Sequence, residues 1–192
     1  MYRILFGLYL LRVPFLLNAQ PTLTEGAALL FKNTKSNIAI AEKNKLFIDV
    51  RFRLSGDRKQ FVAEGDDNKE FPFDAQVLPT DLNKDNQEEI FIIYGNSYTS
   101  GNAGSSVLVF IKNAAGKYIQ HLGFPGAVPD ALNGSSKNYP DLIIGGPGME
   151  FPIWKWNGTT YVFFRKIKDS EYGAIKKTGI EEASKQYTSS IK

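Results

Sequence analysis

The chain has 192 residues, with 23 basic and 20 acidic side chains, a single histidine and no cysteine. The near balance of charge argues against a basic surface that binds nucleic acid. The lack of cysteine excludes disulfides, thiolate chemistry and zinc sites of the Cys/His type.

The first 19 residues have the pattern of a secretory signal peptide. Arg3 precedes an apolar run that ends at Leu17, and Ala19 stands before the polar Gln20. We predict cleavage after Ala19, which leaves 21 basic and 20 acidic residues, and a periplasmic or secreted protein with no membrane span. Because Arg12 interrupts the apolar run, the alternatives are an uncleaved anchor or an N-terminal element of the fold.

A short helix is predicted soon after this segment. Leu23, Ala27 and Leu30 recur at helical spacing, and Thr24 is suited to be the N-cap. We therefore expect a helix near the beginning of the exported chain.

The next apolar segment has two interpretations. From Leu46 to Leu54 apolar and polar residues alternate, which predicts a half-buried strand that pairs with KQFVAEG after an SGDR turn. The alternative is a helix that begins at Ser36 or Asn37, with Glu42 in its first turns. Both interpretations remain open at this stage.

From Phe71 onward, short apolar segments alternate with turn residues, as is typical of antiparallel strands. The predicted strands are FDAQVLP, EIFIIYG, SSVLVFIKN, GKYIQHLGF, DLIIGG, PIWKWNG and TYVFFRK. Residues 113–116 and 157–158 are predicted hairpin turns, and IEEASKQYTSSIK predicts a helix at the other end. We expect residues 20–192 to form one domain that is mainly β, or α+β, with antiparallel hairpins and a short helix near each end.

The stretch DLNKDNQEE has the composition of a metal-binding loop. Calcium takes six to eight oxygen ligands at about 2.3 to 2.6 Å, and alternate residues of a compact loop can supply most of them. The predicted ligands are Asp81, Asn83, Asp85, the backbone carbonyl of Gln87, and Glu89. The alternative is a polar turn between strands that binds no ion.

The loop is not an EF-hand. An EF-hand needs a bidentate glutamate at the twelfth position and helices on both sides, but the twelfth position here is Ile92 and the flanking residues predict strands. We expect a positive φ at Asn86, where the loop must turn sharply, because asparagine tolerates that conformation.

The loop resembles the Asp-rich calcium loop of FG-GAP and VCBS-type repeats, the units of integrin α-subunit propellers and of many secreted bacterial proteins. The family pattern is Asp-x-Asn-x-Asp-Gly-x-x-Asp/Glu followed by a buried strand, and Asn86 departs from its glycine. The resemblance implies that the five predicted ligands hold a structural calcium ion, in a propeller-like unit at about residues 73–123.

A weaker echo of this unit covers about residues 124–165. Leu132 and Asn133 align with the Leu-Asn of the first loop, and Asp141 aligns with its last acidic residue, but Ala131 stands where the first aspartate would be. The echo has therefore lost the metal pattern. Two units are too few for a closed propeller, which needs about four blades.

Other residues that could carry chemistry favour structural roles. His121 has no nucleophile or acid arranged beside it in sequence, and Trp154 and Trp156, on one face of a strand, are interpreted as core residues. GNSYTSGNAGSS lacks the lysine of a phosphate-binding loop and is predicted to be a mobile loop. Glu150 and Asp141 are a further hypothesis, as the two carboxylates of a glycosidase, but the sequence does not fix the distance between them.

Two functions are compatible with these features. The first is an exported, non-enzymatic domain with a structural calcium loop that binds a protein or glycan partner. The second is a hydrolase that acts on a polymer outside the cytoplasm, again with structural calcium. The lack of a nucleophile motif favours the first, and converging carboxylates with perturbed pKa values in a pocket would favour the second.

Overall fold

The structure is a computed structural model that describes residues 21–65, 71–134, 138–145 and 150–191. The predicted signal peptide and its cleavage position lie outside these residues. Within the described ranges, eleven strands form three antiparallel sheets accompanied by five short helices. The prediction of a mainly β fold is confirmed.

The helices are α1 (Glu25–Leu30), α2 (Ile40–Asp49), α3 (Ser97–Ser100), α4 (Asp169–Ala174) and α5 (Ile180–Ser190). The first strands are β1 (Phe52–Leu54), β2 (Phe61–Ala63), β3 (Ala75–Thr80), β4 (Glu89–Tyr94), β5 (Ser106–Lys112) and β6 (Tyr118–Pro125). The others are β7 (Asp130–Leu132), β8 (Leu142–Ile143), β9 (Phe151–Trp156), β10 (Tyr161–Ile167) and β11 (Lys177–Gly179). None of the described helices is long and apolar enough to cross a membrane.

Two of the sheets are successive antiparallel meanders. β3 to β6 form a four-stranded sheet in chain order, and β7 to β10 repeat that arrangement in a five-stranded sheet, where β11 adds beside β7. β1 and β2 form a separate hairpin, which confirms that pairing. The predicted turns at 113–116 and 157–158 join β5 to β6 and β9 to β10.

The four-stranded sheet is the central layer. Along β4, Ile90 and Ile92 face a core formed with α1, α2 and the β1–β2 hairpin. Phe91, between them in sequence, faces the opposite way, into a core shared with Leu142 and Tyr161 of the five-stranded sheet. Because both faces of β4 are covered, its sequence is a continuous apolar run.

The helix interpretation holds for residues 40–49, so the prediction of a strand from Leu46 is wrong for its first half. Leu46 and Val50 are buried one helical turn apart, whereas Ile48, which the strand pattern placed with them, is 67 % exposed. Glu42 stabilises the start of α2 by accepting a hydrogen bond from the Ala39 N–H at 3.1 Å.

Both terminal helices are confirmed, and one predicted loop is corrected. Thr24 caps α1 by accepting from the Ala27 N–H at 3.4 Å, and α5 matches the predicted C-terminal helix. The Gly-Ser segment after β4 forms α3 and a 3₁₀ turn rather than an irregular loop. The Asn96 side chain caps α3 by accepting from the Tyr98 N–H at 2.9 Å.

Candidate metal site

The predicted metal loop joins β3 to β4. Its ends are held in register by the pairing of Thr80 with Glu89, the last residue of β3 and the first of β4. Strands flank the loop on both sides, so the rejection of an EF-hand is confirmed. The eight intervening residues, 81–88, connect these two strands.

Three of the five predicted ligand residues converge. Oxygen atoms of Asp81, Asp85 and Glu89 lie within 4.8 Å of one another. Two oxygens on opposite sides of a calcium ion, each at about 2.4 Å, are about 4.8 Å apart. The spacing of the three carboxylates therefore allows them to hold one metal ion, and their hard oxygen atoms are of the kind that calcium, magnesium and manganese prefer.

The loop is shaped by hydrogen bonds to its own aspartates. The two carboxylate oxygens of Asp81 accept from the Asp85 N–H at 3.0 Å and the Asn86 N–H at 3.2 Å. Asp85 accepts from the Gln87 N–H at 2.8 Å. Asn86 has a φ of 65°, which confirms the predicted positive φ, and Lys84 has one of 62°. These bonds bend the backbone around the carboxylates.

Asn83 and Gln87 are the other two predicted ligands. The Asn83 side chain accepts from the Asp85 N–H at 3.2 Å and donates to Asp85 Oδ2 at 2.9 Å, so it lies beside the carboxylate cluster. Gln87 is exposed, and its backbone N–H is directed at Asp85. Calcium ligation by Asn83 Oδ1 and by the Gln87 carbonyl stays a prediction.

Glu89 is the buried member of the cluster, with 1 % of its surface exposed. Its Oε2 accepts from the Leu82 N–H at 2.7 Å and from Thr80 Oγ1 at 3.1 Å. Burial raises the pKa of Glu89 to about 8. The two hydrogen bonds lower this pKa, whereas the negative charges of Asp81 and Asp85 raise it further. A cation at the cluster would offset this repulsion.

Glu88, which sequence analysis missed, is a buried residue beside the 81–89 loop that accepts hydrogen bonds from several parts of the fold. It is 4 % exposed, and its carboxylate accepts from Ser36 Oγ, from the Asn37 N–H at 2.6 Å and from Tyr187 Oη at 3.2 Å. Its backbone carbonyl accepts from Tyr118 Oη at 3.0 Å. Glu88 thus connects the segment before α2, the central sheet and α5.

A cleft of about 570 Å³ adjoins the metal loop. Asp81 and Lys84 of the loop, Asn133 of the second hairpin, and Gln186 and Tyr187 of α5 line it. The lining is rich in neutral hydrogen-bonding groups. Of the three converging carboxylates, only Asp81 borders this cleft.

The second hairpin, β7 with β8, also carries a buried carboxylate just before its outgoing strand. Asp141 is 6 % exposed, and burial raises its pKa. Ala131, which stands where the first hairpin has an aspartate, is 5 % exposed and packs in the core between the two sheets. Among the described residues, the metal-type acidic cluster occurs only in the first hairpin.

The other candidate residues pack structurally. His121 Nδ1 lies 3.0 Å from Thr160 Oγ1, and burial lowers the pKa of His121. Trp154 stacks on Phe124 with ring centroids 4.8 Å apart, and Trp156 packs against the same core, in agreement with their interpretation as core residues.

The proposed glycosidase pair does not share one environment. Glu150 is exposed and forms an ion pair with Lys166 at 3.4 Å. Asp141 is buried in the second hairpin, directly before β8. A glycosidase needs both carboxyl groups to reach one glycosidic bond, and nothing in these contacts brings them to a common substrate.

Comparison with models of protein families, with curated proteins and with solved structures finds no match for this chain.

Proposed function

We propose that the chain is an exported, non-enzymatic binding domain whose 81–89 loop holds one structural calcium ion. The observation that carries the proposal is the convergence of oxygen atoms from Asp81, Asp85 and Glu89 within 4.8 Å, at the end of a hairpin. The likeness of the loop to FG-GAP and VCBS-type repeats points to the same ion and to an extracytoplasmic location.

The position of the ion would make it structural. It would join the two ends of the loop, since Asp81 follows β3 and Glu89 begins β4. It would also neutralise the buried charge of Glu89, next to the Glu88 contacts that connect three parts of the fold. Calcium is thereby expected to stabilise the native state rather than to act on a substrate.

A hydrolase is the second candidate, because the raised pKa of Glu89 beside two other carboxylates is a feature of many active sites. A general acid must reach the substrate, however. Glu89 is 1 % exposed and does not line the adjoining cleft. Glu89 is therefore better suited to holding an ion than to catalysis, and the neutral cleft to binding a protein or glycan.

Thermal unfolding tests the calcium proposal. We expect calcium at 100 times its Kd to stabilise the protein by about 2.7 kcal/mol. For a chain of this size, that corresponds to a rise in Tm of about 5 to 10 °C over the value in EDTA. The Asp81→Ala, Asp85→Ala double variant should show no rise. Equal Tm values for the wild type with calcium and with EDTA would contradict the proposal.

A further inference from the structure

A second cleft follows the free edge of the four-stranded sheet. β3 is an edge strand of that sheet, and residues 74–79 all line a cleft of about 860 Å³. Successive side chains of a strand point to opposite faces of its sheet. A cleft that touches five successive residues of β3, Ala75 to Pro79, therefore runs along the edge of the strand rather than against one face.

The backbone of β3 directs hydrogen-bonding groups into this cleft. Pro79 has no N–H, and a proline within a sheet turns its nitrogen away from the neighbouring strand. Alternation along the regular β3–β4 ladder then turns Ala75 and Val77 outward as well. The Val77 carbonyl accepts from Thr34 Oγ1 at 3.3 Å, which agrees with this direction. The N–H groups of Ala75 and Val77 thus point into the cleft.

The rim of the cleft is basic and its base is apolar. Four lysines line it against two carboxylates: Lys32, Lys35, Lys59 and Lys185, with Asp74 and Glu181. Among the described residues, no carboxylate forms an ion pair with Lys32, Lys59 or Lys185. Buried Leu30 and Phe61 form part of the base. A ligand there would meet unpaired positive charge around an apolar surface.

We propose that this cleft binds an extended peptide segment of a partner protein with acidic side chains, which adds to the sheet beside β3. Strand addition supplies main-chain hydrogen bonds to the outward N–H groups of Ala75 and Val77, and side-chain pockets supply specificity. The lysine rim selects acidic side chains by charge complementarity. The same edge of a second copy of this chain is disfavoured as the occupant, because pairing the two edges would bring the lysines around the two clefts close together.

The test is selection of short random peptides displayed on phage against the full chain, followed by measurement of Kd for the selected peptides. Two triple variants are compared with the wild type. The rim variant reverses the charge of three lysines that line the cleft: Lys32→Glu, Lys59→Glu and Lys185→Glu. The control variant applies the same net charge change to exposed lysines outside the cleft. The control substitutions are Lys117→Glu, Lys168→Glu and Lys176→Glu.

The selected peptides should be enriched in acidic residues. They should bind the wild type and the control variant alike, and the rim variant at least tenfold more weakly. N-methylation of a peptide at alternate backbone nitrogens should weaken binding at least tenfold, while methylation at the intervening positions has little effect, because only one edge of an added strand pairs with β3.

Three results obtained with selected peptides would overturn this proposal. They are the absence of acidic enrichment, equal binding to both triple variants, and tolerance of N-methylation at every position. A selection that yields no binding peptide would also overturn it. The lysines and Pro79 would then be explained as features that protect the edge strand from self-association.

Discussion

Replacing Glu88 by alanine is expected to lower the free energy of unfolding by about 2 to 4 kcal/mol. Its carboxylate accepts from Ser36 Oγ, the Asn37 N–H and Tyr187 Oη in an almost fully buried position. Truncation leaves these donors without their acceptor, and a buried unsatisfied polar group costs about 1 to 3 kcal/mol. Urea denaturation of Glu88→Ala beside the wild type measures the loss.

Two variants make the Glu88 result specific. Glu88→Gln keeps an acceptor for Asn37 and Tyr187, and should cost about 1 kcal/mol. Glu64→Ala, at an exposed position after β2, should change stability by less than about 0.5 kcal/mol. A Glu88→Ala variant as stable as Glu64→Ala would show that the buried contacts contribute nothing measurable.

The second large effect is a pH dependence that arises from Glu89 when calcium is removed by EDTA. The folded pKa of Glu89 is about 8 and its ordinary value is 4.5, so over this interval the folded state holds a proton that the unfolded state has lost. Stability therefore falls as pH rises from about 4.5 to 8. Each pKa unit corresponds to about 1.4 kcal/mol, so we expect a loss of about 3 to 5 kcal/mol.

Glu89→Gln isolates this effect, since it removes the titrating group and keeps an oxygen to accept from Leu82 and Thr80. The difference between wild type and variant cancels contributions from other groups, including His121. In EDTA, the free energy of unfolding of Glu89→Gln should exceed that of the wild type at high pH, and this excess should shrink as the pH falls. Calcium should restore the stability of the wild type at high pH. Parallel pH profiles of wild type and variant in EDTA would contradict the assigned environment of Glu89.

The sequence predicted most strands, because the central sheet and the hairpin turns have strong local signals. The strand predicted from Leu46 to Leu54 was wrong in its first half for a physical reason. Residues i and i+4 share a face in both a strand and a helix, so the buried pair Leu46 and Val50 satisfies both patterns. The structure adopts the helix alternative, in which Glu42 accepts from the Ala39 N–H at 3.1 Å. β7 and β11, three residues each, depend on pairing across the chain and carry no local pattern.

The acidic cluster was accessible to sequence analysis because its three carboxylates lie within one short segment, residues 81–89. Asp81 and Asp85 converge through the alternation that the loop sequence displays, and Asn86 takes the conformation expected of it. Glu88 could not be recognised in the same way. Its partners are 52 residues before it, at Ser36, and 99 residues after it, at Tyr187, so only the folded chain brings them together.

Calorimetric titration of the EDTA-treated and dialysed protein with calcium is the most direct test of the metal site. The wild type and Asp74→Ala, an exposed position just before β3, should each bind one calcium ion per chain. The Asp81→Ala, Asp85→Ala double variant should bind none. Absence of binding by the wild type, or equal binding by the double variant, would mean that the 81–89 loop is a polar turn and not a calcium site.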